Sequence, residues 1–303
     1  MTAGTAKLKV GYYPGCSLSG TSRDFGESTR ALAEALDIEL AEVPEWNCCG
    51  SSPAHMIDHL MSIALPVNVL RKAKQAGLTE VMSPCSACYS RLVMAKHEIE
   101  SSPATKAQVE KVLACSPGAL DKLPKVLNVI ELLAPLSDRI AAKVSKKFEQ
   151  TVACYYGCLM VRPPKVTGFD RTEDPQEMDK LVAAVGGKTV DWSFKTECCG
   201  ASFSLSKTSV VGRLGAKIMK NAVDHGAEAV VVACPMCHSN LDLRRAEINR
   251  RLERPTQIPV LFITQVIGLA LGIPGKKLGL RRHFVPVKFP AKPVAQPTPQ
   301  AVH

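Results

Sequence analysis

Aromatic residues are scarce: Phe, Trp and Tyr make up 5% of the 303 residues, too few for an aromatic-rich sandwich core. Apolar residues still reach 46%, enough to fill one large core or two modest ones, and their Ala, Val, Leu and Ile character suits layered α/β architecture. Long apolar runs are also missing. The longest, Ile258 to Ile273, is broken by Thr264 and Gln265 and falls short of the roughly 20 residues that a bilayer span needs. It reads as a buried strand and helix, so no membrane span is expected. The opening stretch MTAGTAKLKVGYYPGC carries no apolar run behind a positive segment, so a secretory signal is not expected and a cytoplasmic location is. Neither a C-x-x-C-x-x-C-x-x-x-C-P run nor a G-x-G-x-x-G turn after a strand occurs, which argues against a ferredoxin-type cluster and a dinucleotide on this chain.

Acidic residues are outnumbered, 28 against 38 basic, for a net charge of +10. Six of the positive charges, Lys276, Lys277, Arg281, Arg282, Lys288 and Lys292, sit in a terminal region without an acid. A solvated basic tail accounts for the excess, and no nucleic-acid partner is expected. From His283 onward Pro286, Pro290, Pro293, Pro297 and Pro299 recur, so residues 281–303 read as an extended, disordered tail.

What is abundant is cysteine, twelve in all, and most of it is written twice. YYPGCSLSG around Cys16 is echoed by YYGCLMVRP around Cys158, and WNCCGSS with Cys48 and Cys49 by TECCGAS with Cys198 and Cys199. SPCSACYSRL with Cys85 and Cys88 returns as ACPMCHSNL with Cys234 and Cys237, and LPKVLNVIELLA resembles IPVLFITQVIGLAL. Four stations in one order indicate a duplication. The first copy is expected to span residues 1–145 and the second 146–280. Each alternates strand-like runs (7–13, 38–43, 79–82; 151–155, 188–192, 229–233) with helical ones (21–36, 56–76 and from Cys85; 210–225), and 136–149 reads as a charged helical stretch between them. The fold expected is therefore α/β, two small open sheets with flanking helices, the cysteines lying at strand ends and helix starts.

Without an export signal, such thiols point to metal or redox chemistry rather than disulfides. A C-x-x-C pair at a helix start converges two sulfurs near free backbone N–H groups, which favour thiolate. Adjacent cysteines diverge, so Cys48–Cys49 and Cys198–Cys199 fit a centre with separated metal atoms better than one small ion. Zinc and a cubane each take four thiolates, and five per copy leave one over unless the centre is extended or opened. A pair of zinc staples remains the alternative. Cys115 and Cys154 have no counterpart in the other copy and read as structural thiols. His55, His238 and Arg162 adjoin the motifs and are candidates for proton donation or anion binding, though each could equally be a surface residue. His59, His97 and His225 fall in helices and receive no role.

The motifs YYPGCSLSGT, CCGSSPAH, PCSACYSRL, YYGCLMVRP, CCGASFS and CPMCHSNL resemble the cysteine-rich CCG domain family, in particular heterodisulfide reductase B subunits and their relatives in sulfur oxidisers, over about residues 7–275. The resemblance implies two non-cubane [4Fe-4S] clusters, on Cys16, Cys48, Cys49, Cys85 and Cys88 and on Cys158, Cys198, Cys199, Cys234 and Cys237. It implies cleavage or formation of disulfide or sulfane sulfur bonds between clusters facing each other across a cleft. Partners implied are a ferredoxin-like C subunit and a flavin-containing A subunit. Leu159 stands where the archaeal enzymes carry His, which turns the expectation from the methanogen heterodisulfide toward sulfur on a lipoyl carrier protein. Relay subunits of flavoprotein dehydrogenases, passing electrons to quinone, resemble the chain too; they usually carry ferredoxin motifs, which this sequence lacks.

Overall fold

A computed structural model describes residues 7–51, 54–169 and 171–289, with the side chain of His55 outside the described part. It is α/β, with two four-stranded parallel sheets. In the first, β1 (Leu8–Tyr12), β2 (Ile38–Glu42), β3 (Glu80–Ser83) and β4 (Lys125–Asn128) lie in the order β2-β1-β3-β4. The second repeats this with β5 (Thr151–Tyr155), β6 (Lys188–Thr189), β7 (Ala229–Val232) and β8 (Val260–Phe262) as β6-β5-β7-β8. Inner strand β7 is apolar and buried along all four residues, as helices on both faces require, whereas edge strand β6 is exposed.

The strand order reverses between β1 and β3, and between β5 and β7. Open parallel sheets leave a crevice outside the carboxyl ends of their strands at such a point. Cys16 follows β1, Cys48 and Cys49 follow β2, and Cys85 follows β3; Cys158, Cys198 and Cys234 take the same positions after β5, β6 and β7. Topology alone therefore brings three distant cysteine stations to one rim in each half.

The halves pack through both sheets' helices. The Arg23–Ala35 helix lies against Ile263–Ala270, with Phe25 stacked on Phe262 at 4.1 Å and Ser28 Oγ hydrogen-bonded to Thr264 Oγ1 at 2.7 Å. Beside the cysteines, Ser86 Oγ donates to the Ala233 carbonyl at 3.2 Å.

Three expectations change. The helix expected over 56–76 is two, Ala54–Ile57 and His59–Gln75, because Asp58 is extended and its side chain accepts from Met61 N at 2.6 Å, starting the second helix afresh. The linker is helical only at 134–142, after which Ser145 N and Lys146 N donate to the Ala270 carbonyl and tie the chain to the second half. Residues 281–289, expected to begin a disordered tail, are packed: the Asp242 carboxylate accepts Phe284 N at 2.8 Å and Val285 N at 3.0 Å. Arg282 meanwhile pairs with Glu27 of the first half, and Phe289 meets Phe148 edge-on. Side-chain satisfaction of backbone donors, invisible in a proline-rich composition, orders this segment. Residues 290–303, the rest of the expected tail, lie outside the described residues.

Candidate metal centre

Each half gathers its five cysteines at the strand-end rim. Cys49, Cys85 and Cys88 are buried with Cys48 and Cys16 exposed; Cys199, Cys234 and Cys237 are buried with Cys198 exposed and Cys158 intermediate. Cys49 Sγ lies 3.3 Å from Cys88 Sγ, and Cys199 Sγ lies 3.6 Å from Cys237 Sγ. Five thiolates at such spacing repel one another, so they need shared protons or a cation among them.

Hydrogen bonds between the thiols divide the protons unequally. Hydrogen bonds from Cys48 and then Cys88 push Cys49 down to about 3, while Cys48 and Cys88 are driven up. In the second half the Cys158 thiol pulls Cys198 down to about 6, and Cys237 lowers Cys199. One further pair bridges the halves. The two C-x-x-C motifs adjoin across the seam through the Ser86–Ala233 hydrogen bond, and there Cys234 raises Cys85 while Cys237, followed by Cys85, lowers Cys234.

Glycine makes this crowding possible. Gly15 and Gly157, immediately before Cys16 and Cys158, have φ of +64° and +69°, and a Cβ there would come within 2.9 Å of Cys88 Sγ and 3.0 Å of Cys237 Sγ. Only glycine permits both the left-handed turn and the close approach. In the two CCG loops, Gly50 N donates to Cys48 Sγ and Gly200 N to Cys198 Sγ, each at 3.4 Å, which spreads thiolate charge onto the backbone.

Beneath each group lies a tyrosine that cysteine spacing does not reveal. Tyr13 is fully buried and its hydroxyl donates to the Asn47 carbonyl at 2.9 Å; Tyr155 donates to the Glu197 carbonyl at 2.5 Å. These carbonyls immediately precede the paired cysteines, so each ring anchors a CCG loop. Burial, then the nearby thiols, hold both phenols protonated. The twin Tyr-Tyr echo was the available signal. Asn240, three residues after Cys237, was also missed: its Nδ2 donates to Cys199 Sγ at 3.3 Å and to the Ala201 carbonyl at 2.9 Å.

The other candidates stand apart. Arg162 pairs with Glu173 at 2.6 Å and reaches Thr196 Oγ1 at 3.3 Å, bracing the loop before Cys198. His238 is buried, stacked on Phe262 at 4.3 Å, and burial lowers its pKa so that it stays neutral. With Asp24 and His283 it forms a trio whose ligating atoms lie within 4.8 Å of one another. Gln265 Oε1 accepts from Phe262 N, which aims its Nε2 at His283 Nε2 at 2.8 Å, so that lone pair is already engaged and the trio is a hydrogen-bond cluster. Cys154 is buried in β5 and Cys115 is half-buried with its Sγ near the Glu110 carbonyl; neither is among the paired thiols.

Two stretches, residues 10–93 and 152–242, match the cysteine-rich CCG domain model. This chain belongs to the cysteine-rich CCG domain family. Among its relatives, it is 31% identical over 275 residues to the 8-methylmenaquinol:fumarate reductase membrane anchor subunit of Wolinella succinogenes, covering 90% of this chain and 96% of that protein. It is 26% identical to the B subunit of the ferredoxin/F420H2-dependent CoB-CoM heterodisulfide reductase of Methanosarcina acetivorans, covering 94% and 96%. A protein of Archaeoglobus profundus that is itself described as like the heterodisulfide reductase B subunit is 27% identical, covering 89% and 93%. A solved structure of a hypothetical protein from Helicobacter pylori shares the fold with a TM-score of 0.72 at 14% identity, over 94% of this chain and 53% of that one, so this chain spans about half its length. The CCG chain is thus a heterodisulfide-reductase-B-like cysteine-rich subunit of redox type. Among the described residues no helix is long and apolar enough to cross a membrane.

Proposed function

We propose that the chain is the catalytic B-type subunit of a heterodisulfide-reductase-like complex, with Cys16, Cys48, Cys49, Cys85 and Cys88 holding one non-cubane [4Fe-4S] cluster and Cys158, Cys198, Cys199, Cys234 and Cys237 another. When bound, such clusters would supply electron storage and affinity for sulfur. The donor set fits them: each rim offers five soft ligands, divergent neighbours in its CC pair, and N–H groups directed at sulfur. The observation that carries the reading is the 3.2 Å hydrogen bond from Ser86 Oγ to the Ala233 carbonyl, between the residue after Cys85 and the residue before Cys234, which supports two groups side by side at the seam. One disulfide lying there would reach both groups. Reduction of RS–SR′ to RSH and R′SH takes two electrons and two protons, and sulfur oxidation runs the reverse. The buried tyrosines keep their protons and hold the loops, and partner subunits, a ferredoxin-like C and a flavin-containing A subunit, carry the electrons. Substrate sulfur is taken to arrive on a lipoyl carrier protein, and the site of action is the cytoplasm.

Protein purified anaerobically is expected to be brown, with iron and acid-labile sulfide for two clusters, and to reduce a disulfide with a low-potential donor. Colourless protein with two zinc ions would instead identify staples. A second reading, electron relay from a flavoprotein dehydrogenase to quinone, is favoured by the 31% identity to the fumarate reductase subunit. Turnover with quinone analogues and none with disulfides would select it.

A further inference from the structure

We propose that residues 279–289 form a latch across the seam: seated, they hold the two halves together beside the cysteines; released, they let the seam open. The segment lies outside both stretches that match the CCG domain, 10–93 and 152–242, so the device is added to the repeated module rather than built from it.

The segment starts from the second half at Leu278, which is fully buried and whose carbonyl accepts Gln265 Nε2 at 3.0 Å. It turns at Gly279, φ +71°, where the backbone runs so close to the first half that a Cβ would stand 2.6 Å from Asp24 Cα. Arg282 then pairs with Glu27 of the Arg23–Ala35 helix through Nε and Nη2 at 3.1 and 2.7 Å. His283 sits between the halves, its Nε2 2.8 Å from Gln265 Nε2 and 3.7 Å from Asp24 Oδ2. Phe284 N and Val285 N bring the chain back to the second half, on Asp242 at the end of the Pro235–Leu241 helix. That helix carries Cys237, and the Arg23–Ala35 helix follows the short one that carries Cys16. The latch thus spans two elements placed next to the cysteines of opposite halves.

Charge holds it more than packing does. From 281 to 289 only His283 and Val285 are buried, and Phe284 is 67% exposed. Opening such a segment bares little apolar surface, so it costs far less than unfolding the sheets. Its seat is acidic. Asp24, Glu27 and Asp242 gather there, and after burial the charges of Asp242 and Glu27 help to push the Asp24 carboxyl up. Arg282 and the two backbone N–H groups offset that repulsion while the segment is seated. Once it leaves, the carboxylates of opposite halves repel across the seam, which couples release of the segment to parting of the halves. A cavity of about 290 Å³ already notches the seam there, with Arg282 and Phe284 in its wall beside Asp24 and Met236. Release removes part of that wall and widens the approach to the cysteines.

The test is hydrogen–deuterium exchange on the full chain purified anaerobically, with the rate of metal removal by an external chelator measured on the same samples. Amides of 283–289 should exchange faster than those of β7, and faster at about 0.5 M than at about 0.05 M salt, as a charge-held contact requires. Arg282→Glu should speed exchange in 283–289 and in the helices Arg23–Ala35 and Ile263–Ala270 about fivefold. It should also hasten metal loss, with the starting metal content and the protection of β7 unchanged. Gly279→Ala, which forces a Cβ onto the Asp24 backbone, should do the same by at least about tenfold. Adding Glu27→Arg to Arg282→Glu should restore the parent rates. Exchange in 283–289 as slow as in β7 at both salt concentrations overturns the latch, as does a freed segment that leaves the two helices and the chelator rate unchanged, or a charge swap that rescues nothing. Exchange does not depend on which metal is bound, so the expected pattern in a protein that holds zinc overturns the cluster reading and leaves the latch standing.

Discussion

Three residues beyond Cys88 stands Arg91, and at the same place after Cys237 in the second half stands Asn240, which hydrogen-bonds Cys199 Sγ. Ahead of the CC pair the halves differ again. In the second, Lys195 is buried between Asp174 at 2.8 Å and Asp179 at 3.2 Å, Asp179 takes the Tyr156 hydroxyl at 2.7 Å, and the Lys195 carbonyl receives Tyr156 N and Gly157 N. In the first, Pro14 occupies the position of Tyr156, so that brace has no counterpart. Duplication preserved what the thiols require, the glycines, the tyrosines and the spacing. It let the surroundings diverge, so two alike ligand sets sit in unlike fields. Since hydrogen bonds to sulfur raise the potential of an iron–sulfur centre, the second group is expected to be the better electron acceptor.

Removing one thiol breaks the comparison hardest. Cys49→Ala and Cys199→Ala are each expected to lose the metal of their own half and retain that of the other, read as about half the iron and sulfide of the parent by elemental analysis. Unchanged metal, colour and turnover in either variant would defeat the five-thiol assignment. Gly15→Ala and Gly157→Ala come next: a Cβ at 2.9 or 3.0 Å from sulfur, on a left-handed backbone, should cost about 1–3 kcal/mol and lower metal occupancy of that half alone.

A smaller effect tests the seam. Burial raises the Asp24 carboxyl from 3.8 to about 6. The folded state thus holds its proton more tightly than the unfolded, so the contribution is present below pH 4 and is lost as pH rises through 6. Against Asp24→Asn, the parent should lose about 2 kcal/mol of relative stability between pH 4 and 6.5, followed by denaturant melts. The smallest change is expected from Tyr13→Phe and Tyr155→Phe, each leaving a carbonyl without its donor at a cost of about 1 kcal/mol. Equal losses would mean that the loops are anchored alike despite the Lys195 brace; a smaller loss at Tyr155 would measure what that brace adds.

The repeat, the α/β class and the placing of cysteines at strand ends were legible because each is local or periodic. Short runs such as the AVVV of β7 announce inner strands, and a cysteine after such a run lands on the rim whatever the rest of the chain does. What escaped depends on residues far apart in sequence. Nothing near Asn240 predicts that its amide will reach Cys199, forty-one positions away, and nothing in HFVPVKF predicts that Asp242 will collect two of its backbone donors. Tyr13 and Tyr155 read as ordinary strand residues: the repeated Tyr-Tyr marks the position, but not the bond from each phenol to a main-chain carbonyl.

The stacking of Phe25 on Phe262 has a consequence for ancestry and for engineering. Each half lends its partner a wall, so a chain severed in the linker near residue 145 would yield two fragments with bared apolar helices rather than two small proteins. Once that exchange of walls was fixed, the duplicated gene could no longer be undone into independent copies, and the pair had to evolve as one body.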